Sequence, residues 1–385
     1  MKDTRRRYRS IRCLAAVAVL ALAATACGGE GDDPAAGETA DEAGTQEPGA
    51  EEPGGAGEAT GDASAVVCED IGTVRFGLTS SVSDAPLFIA DERGYFDEVG
   101  IDAEMVDFAS AAQMIAPLGG GQLDVGAGAP SAGFYNALSR ELNFRIVADK
   151  GSMPENYGYM PLLVRADLYE SGEVTGPEDF AGLRVAEPAQ GTATASTLNT
   201  ILESSGLDYG DVQHEFLGFA EHVTAYENEA IDASLTTEPS ATIIEEQGLA
   251  VRLGTPPDWY DNQQLAVILY SEDFIARDDR AGTCTMIAYL RGVRDYVDAL
   301  DDGQIDGDSE VAQIIQDRTG LSAERLVQIT PNWVDPDGRL NQDSLETDYA
   351  FFEGEGLLEG EVDLGQIVDP SFAEAAVAEL GEYEG

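Results

Sequence analysis

Thr73-Val-Arg-Phe-Gly-Leu78 reads as a buried strand, with apolar residues alternating around Arg75 and Gly77. Asp84-Ala-Pro-Leu-Phe-Ile-Ala-Asp-Glu-Arg-Gly94 follows as a helix, with Ser83 or Asp84 as its cap, Pro86 in the first turn and Gly94 as its stop. Ile101–Phe108 reads as a second strand, Ala111–Leu118 as a second helix and Leu123-Asp-Val-Gly-Ala127 as a third strand. This β-α-β-α-β order implies a mainly parallel sheet joined by right-handed crossovers.

The rhythm recurs downstream. Strands are expected over Leu183–Ala186, Val212–Phe216 and Ile231–Leu235, with helices over Thr192–Ser204, Phe219–Asn228 and Glu238–Gln247. Arg75 stands 49 residues before Asp124, and Arg184 stands 48 before Asp232. Leu123-Asp124 and Ile231-Asp232 both open a third strand, and each strand runs into a turn with proline, Ala129-Pro130-Ser131 and Glu238-Pro239-Ser240. Two similar α/β lobes are therefore expected. Leu265–Tyr270 is a further strand that returns the chain to the first lobe, and five helical segments between Thr285 and Leu380 form a tail that packs on lobe one and braces lobe two. Lobe one then takes 67–162 and 265–385, and lobe two takes 163–264.

The amino-terminal segment concerns location. Lys2, Arg5, Arg6, Arg7, Arg9 and Arg12 precede a short apolar run, Cys13–Ala24, and small residues lead to Cys27. This reads as a secretory signal over 1–26 that is too short to span a bilayer comfortably. The pattern resembles a lipobox, which makes Cys27 the expected lipidation site; position 24 departs from it, being Ala rather than the commoner Leu. Residues 28–66 hold ten glycines and eleven acids, with no Lys, Arg or aromatic residue. Such a stretch cannot bury enough apolar surface to fold, so 27–66 is expected to be an acidic, lipidated tether.

The formal net charge is -52. That excludes nucleic acid and anionic lipid as natural partners and is the balance of a strongly solvated surface, as in proteins adapted to high salt. Lys150 is the only lysine beyond the signal. Cys68 and Cys284 are the cysteines left once Cys27 is lipidated, and a pair outside the cytoplasm is expected to form a disulfide. No metal site or cofactor is expected: there is no Walker loop or dinucleotide fingerprint, and His214 and His222 lie far from either cysteine in sequence.

Several strings in order resemble the nitrate/sulfonate/taurine branch of the solute-binding proteins that serve ABC importers. They are Asp84-Ala-Pro-Leu-Phe-Ile-Ala with Arg93-Gly-Tyr-Phe-Asp-Glu-Val-Gly-Ile101, Gly119-Gly-Gly-Gln-Leu-Asp-Val125, Phe180-Ala-Gly-Leu-Arg-Val-Ala186 with Gly191-Thr192, Ile231-Asp-Ala with Thr237-Glu-Pro239, and Ser271-Glu-Asp-Phe274. The resemblance implies the type II periplasmic-binding fold: two lobes on a two-segment hinge that close on a small molecule, working as a monomer with a membrane permease. It implies transport without turnover. A ligand-sensing receptor, or a pyrimidine-precursor-synthase-like enzyme on the same fold, are the alternatives.

In open parallel sheets ligands sit beyond the carboxyl ends of the strands. The turns expected there are Thr79-Ser80-Ser81 with Asp84, Phe108 to Ser110, Ala129 to Ser131, Gly191-Thr192 with Thr194, and Thr237-Glu238. Free N–H groups at helix starts suit a sulfonate or carboxylate, although Ser, Thr and Asp also stand at such places simply as caps. Asp84 and Glu238 suit an amine or a ring N–H, so a zwitterion or heterocycle fits as well. Tyr157, with Tyr159, Trp259 and Tyr260, can stack on a flat ligand or pack the hinge. Replacing Cys27 with serine is expected to move the protein from the detergent-extracted membrane fraction to the soluble extracytoplasmic fraction, read by fractionation and intact mass.

Overall fold

Val74, Phe76 and Leu78 are at most 1 % exposed, and the strand they define, β1 (Gly72–Leu78), lies at the heart of the first lobe. The computed structural model describes residues 66–385 apart from positions 80, 109, 141–143 and 302. The segments expected as a signal and as a tether, up to residue 65 and including Cys27, and Ser80 lie outside the described residues.

β1 is followed by α1 (Ala85–Glu92), β2 (Ile101–Asp107) and β3 (Val125–Gly128). The segment expected as a helix over 111–118 opens as a 3-10 turn at 111–114 and is α-helical only over Ile115–Gly119. Starting there places Pro117 in the first turn, where its missing N–H costs nothing. α2 (Ala132–Ser139) and β4 (Phe144–Met153) complete the outward path. β5 (Leu162–Arg165), β6 (Arg184–Glu187), α3 (Ala193–Ser204), β7 (Gln213–Phe216), α4 (Phe219–Glu227), β8 (Ala233–Leu235), α5 (Ser240–Glu246) and β9 (Ala250–Gly254) build the second lobe. β10 (Gln263–Ser271) then returns to the first sheet.

The two sheets have matching order, β2-β1-β3-β10-β4 and β7-β6-β8-β5-β9. Each keeps a parallel core, β1 with β2 and β3, and β6 with β7 and β8. Antiparallel strands extend both: β10 and β4 in one, β5 and β9 in the other. The chain passes between the sheets twice, from β4 to β5 and from β9 to β10.

The repeated Arg-to-Asp spacing has a physical counterpart. Asp124 Oδ2 accepts from the Arg75 backbone N–H at 2.8 Å and from Arg75 Nε at 2.9 Å, while Oδ1 accepts from Nη2 at 3.0 Å. Asp232 repeats the pattern with Arg184 at 3.0, 2.9 and 2.6 Å. A second arginine reaches each aspartate, Arg277 at 3.3 Å and Arg165 at 2.9 Å. A carboxylate matches the guanidinium fork bidentately, which fixes geometry as well as charge. Each clamp locks one strand of a lobe's parallel core, β1 or β6, to the entrance of another, β3 or β8. The carboxyl ends of both strands are thereby aligned at the opposite edge.

The tail runs through α6 (Ala281–Asp298), α7 (Glu310–Thr319), α8 (Gln342–Gly354) and α9 (Ser371–Leu380). α6 crosses α1 at Gly292, where a Cβ would stand 2.2 Å from the Pro86 carbonyl oxygen. α7 and α9 also pack in the first lobe, whereas α8 lies against both β10 and α3 of the second. Cys68 is joined to Cys284 on α6, across 216 positions of sequence. No helix among the described residues is long and apolar enough to cross a membrane.

Asp124→Asn and Asp232→Asn are each expected to lower the free energy of unfolding by about 2–3 kcal/mol, less than for a fully buried pair because the arginines are partly wet. The two losses should add to within about 0.5 kcal/mol, since the clamps share no partner. Urea unfolding of both single variants and the double variant reads this.

Candidate ligand cleft

The carboxyl ends of the parallel strands in both lobes point at one crevice. Ser131 caps α2, its Oγ accepting from Phe134 N at 3.2 Å, and Thr192 precedes α3. These two residues form an antiparallel bridge across the crevice, and Ala132 N donates to the Gly191 carbonyl at 2.8 Å. Gly191 has φ +66, and a Cβ on it would lie 3.0 Å from Cβ of Ala132, so glycine is what lets the lips meet. Ser131, Gly191 and Thr192 are thus brought together. Thr194 stands in the first turn of α3, buried, with its hydroxyl on Met160 Sδ at 3.4 Å.

The wall after β1 is arranged differently from a simple anion cradle. Asp84 turns inward and is fully buried. Its Oδ2 accepts from the N–H groups of Thr79 at 3.2 Å and Ser81 at 3.0 Å. Those donors are therefore already committed. The hydroxyls of Thr79, Ser81 and Ser83 form a chain with steps of 3.1 and 2.9 Å. Lys150, on β4, reaches this turn with Nζ 2.8 Å from Asp84 Oδ1 and 2.7 Å from Ser83 Oγ. Its side chain is 3 % exposed. Lys150 is the lone lysine beyond residue 2, and its rarity in an arginine-using chain is the sequence signal of its special place.

Phe108 is half-buried, its N–H held by the Leu78 carbonyl at 2.8 Å, and Ser110 is exposed at the start of the 3-10 turn. Ala129 is half-buried behind Ser131. In the second lobe Thr237 is half-buried, while the Glu238 carboxylate folds back on its own lobe. Its Oε2 accepts from Thr242 N and Oγ1 at 3.0 and 2.8 Å, and Oε1 from Arg252 Nη2 at 3.1 Å. Burial raises its pKa, against the pull of those donors. Tyr157 is set apart from the lips, packed against Trp333 with centroids 5.0 Å apart. It borders a cavity of about 530 Å³ with Asn156, Leu300, Gly303, Gln304 and Thr330.

Two acidic groups had no sequence signal. Glu187, at the carboxyl end of β6, is fully buried and accepts at Oε1 from Tyr209 OH at 2.9 Å, with His214 Nδ1 at 2.7 Å. Burial works to lower the His214 pKa, but Glu187 outweighs it and the net shift is upward. Asp348 comes from α8 in the tail and accepts at Oδ1 from Tyr260 OH at 3.0 Å and Gln263 Nε2 at 3.4 Å. Burial pushes its pKa up to about 7. Among the described residues no cluster of three or more His, Cys, Asp or Glu could hold a metal ion.

The model of the family described as NMT1/THI5 like matches residues 82–299, more than half of the chain. The chain belongs to the NMT1/THI5-like family. This NMT1/THI5-like protein is 23% identical over 251 residues to a Brucella abortus protein named as a binding protein, covering 63% of this chain and 74% of that one. Its fold is similar to the periplasmic aliphatic sulphonate binding protein SsuA of Escherichia coli, with a TM-score of 0.62 at 17% identity over 77% of this chain and 92% of that one. It is also similar to the desulfurization enzyme DszB, at TM-score 0.57 and 16% identity over 80% and 99% of the respective chains. The resemblance read from the sequence strings therefore holds at the level of family and fold.

Lys150→Met should leave the Asp84 carboxylate buried without its counter-charge and cost about 3–5 kcal/mol. Adding Asp84→Asn should recover part of that loss. Denaturant midpoints of the single and double variants check this.

Proposed function

We propose that the chain is an extracytoplasmic solute-binding lipoprotein of an ABC importer. It is anchored through Cys27, closes its lobes on a small organic solute such as a sulfonate, carboxylate or heterocycle, and presents it as a monomer to a permease. The observation that carries this reading is the meeting of Ser131 and Thr192 across a crevice between two matching sheets. Two adjacent strands, β4 and β10, run side by side to the passages between the sheets, so bending there opens and shuts the crevice. Hinge closure of this type is a common response to ligand. The family and the Brucella relative named as a binding protein support the same reading.

The fold shared with DszB raises an enzyme as the second reading. The two histidines argue for binding alone. His222 is buried, pairs with Thr236 Oγ1 at 2.7 Å and the Leu217 carbonyl at 2.9 Å, and has its pKa pushed down to about 4 by burial. His214 is held between Glu187 and the Tyr209 carbonyl. Both imidazoles are fully engaged in holding their own lobe.

The test is a thermal-shift screen across sulfonates, carboxylates, amino acids and nitrogen heterocycles. A bound solute at 100 times its Kd stabilises by about 2.7 kcal/mol. It should also shrink the radius of gyration in solution scattering and be recovered chemically unchanged. A conversion product would support the enzyme, and silence across the whole screen would remove the binding reading.

A further inference from the structure

Charge at the crevice is unevenly matched. The cations near the strand ends are committed: Lys150 to Asp84, Arg252 to Glu238 and Glu245, and His214 to Glu187. The carboxylates are in excess, and besides Asp84 Oδ1, which Lys150 answers, two of them hold a buried oxygen without a donor of its own, Glu187 Oε2 and Asp348 Oδ2, although the Ser196 hydroxyl is a further donor to the Asp348 carboxylate. Both side chains are fully buried. A buried acceptor without a donor is costly, so such groups mark places built for a partner.

Asp348 lies between the lobes. Ser131 and Thr192 meet at the lips, and one helical turn further in on each side stand Tyr135 of α2 and Ser196 of α3. The Asp348 charge bears on the Tyr135 hydroxyl, and the Ser196 hydroxyl donates to the Asp348 carboxylate and so favours its ionised form. Tyr260 and Gln263, from the returning passage, hold its other oxygen. The tail thus places one carboxylate where both lobes and the hinge converge. Tyr135 OH is itself buried without a hydrogen-bond partner, so one carboxylate oxygen and one hydroxyl without partners belong to the same neighbourhood.

Resting on the reading of this crevice as the ligand site, we infer that the solute is a nitrogenous cation, an amine, amidine or protonated ring nitrogen, and that Asp348 is the carboxylate that receives it. A free sulfonate or nitrate would meet Asp348 and Glu187 with no uncommitted cation among the described strand ends to offset them. Like charge in a desolvated site is strongly unfavourable. A nitrogen cation supplies the missing donors and the missing charge together. The titratable groups facing Asp348 are the tyrosines 135 and 260, with Tyr349 beside it on α8; none is cationic.

The experiment uses the full chain and head-group pairs of matched body: propylamine and propanesulfonate, benzylamine and benzenesulfonate, 4-aminopyridine and pyridine-3-sulfonate. Thermal shift and calorimetry should register amine members only. Their affinity should rise between pH 6 and 8 as Asp348 ionises, given its pKa of about 7. Asp348→Asn should weaken amine binding by about 30-fold or more and flatten that pH profile, while its circular dichroism stays native. If that variant fails to fold, Tyr135→Phe replaces it: amine binding falls several-fold while thermal stability holds or rises. A sulfonate that binds, or amine binding that is indifferent to both variants, overturns the inference and leaves the solute-binding reading intact. No binding by any pair, together with silence in the broad screen, overturns both.

Discussion

The Asp149 carboxylate, 1 % exposed on β4, gathers four donors: Gly151 N at 2.8 Å, Ser152 Oγ at 3.0 Å, Gln264 Nε2 at 2.6 Å and Asp335 N at 2.8 Å. Burial raises its pKa to about 6, and the four hydrogen bonds restrain that rise. Those donors belong to the outgoing strand, the returning strand and the tail. One carboxylate therefore ties together the places where the chain leaves the first lobe, comes back to it and begins to cover it. Gln264 extends the knot, its Oε1 accepting from Asn341 N at 3.0 Å and its backbone N–H donating to Ser344 Oγ at 2.9 Å. Ser152 and Trp333 add backbone bonds in both directions at 2.9 and 3.3 Å. The knot joins the first lobe, the returning strand and the tail into one body.

The lobes could be read from the sequence because their determinants are local. Arg75 and Asp124, or Arg184 and Asp232, recur at nearly one spacing because each clamp spans one β-α-β-α-β unit. Glycines 94, 206 and 248 stop helices in the sequence, and each has φ between 67 and 81 in the structure. β4 escaped because Asp149, Lys150 and Gly151 break its apolar run. They are buried because hinge and tail cover them, which no window of local sequence reveals. β5 and β9 are short, and β5 pairs with both β9 and β8 across long stretches of chain.

The crevice was only partly legible for the same reason. Ser131, Gly191 and Thr192 announced themselves as helix starts after strands. Asp84 was visible too, yet its inward turn depends on Lys150, 66 positions away. Asp348 belongs to an ordinary amphipathic segment, and only the docking of α8 on α3 gives it meaning. The excess of acid was plain from the first count of residues. Its distribution was not: clamps and knots use it internally, and arginine rather than lysine answers it because a planar fork can hold a carboxylate at two points.

Cys68 stands at the threshold of the folded body and is bolted to α6, the longest helix of the tail. That covalent link ties residue 68 to a helix packed on α1 and α9, apart from the hydrogen-bond ladder between β1 and β2. The start of the described body is thus fastened to the tail independently of the strands that shape the crevice.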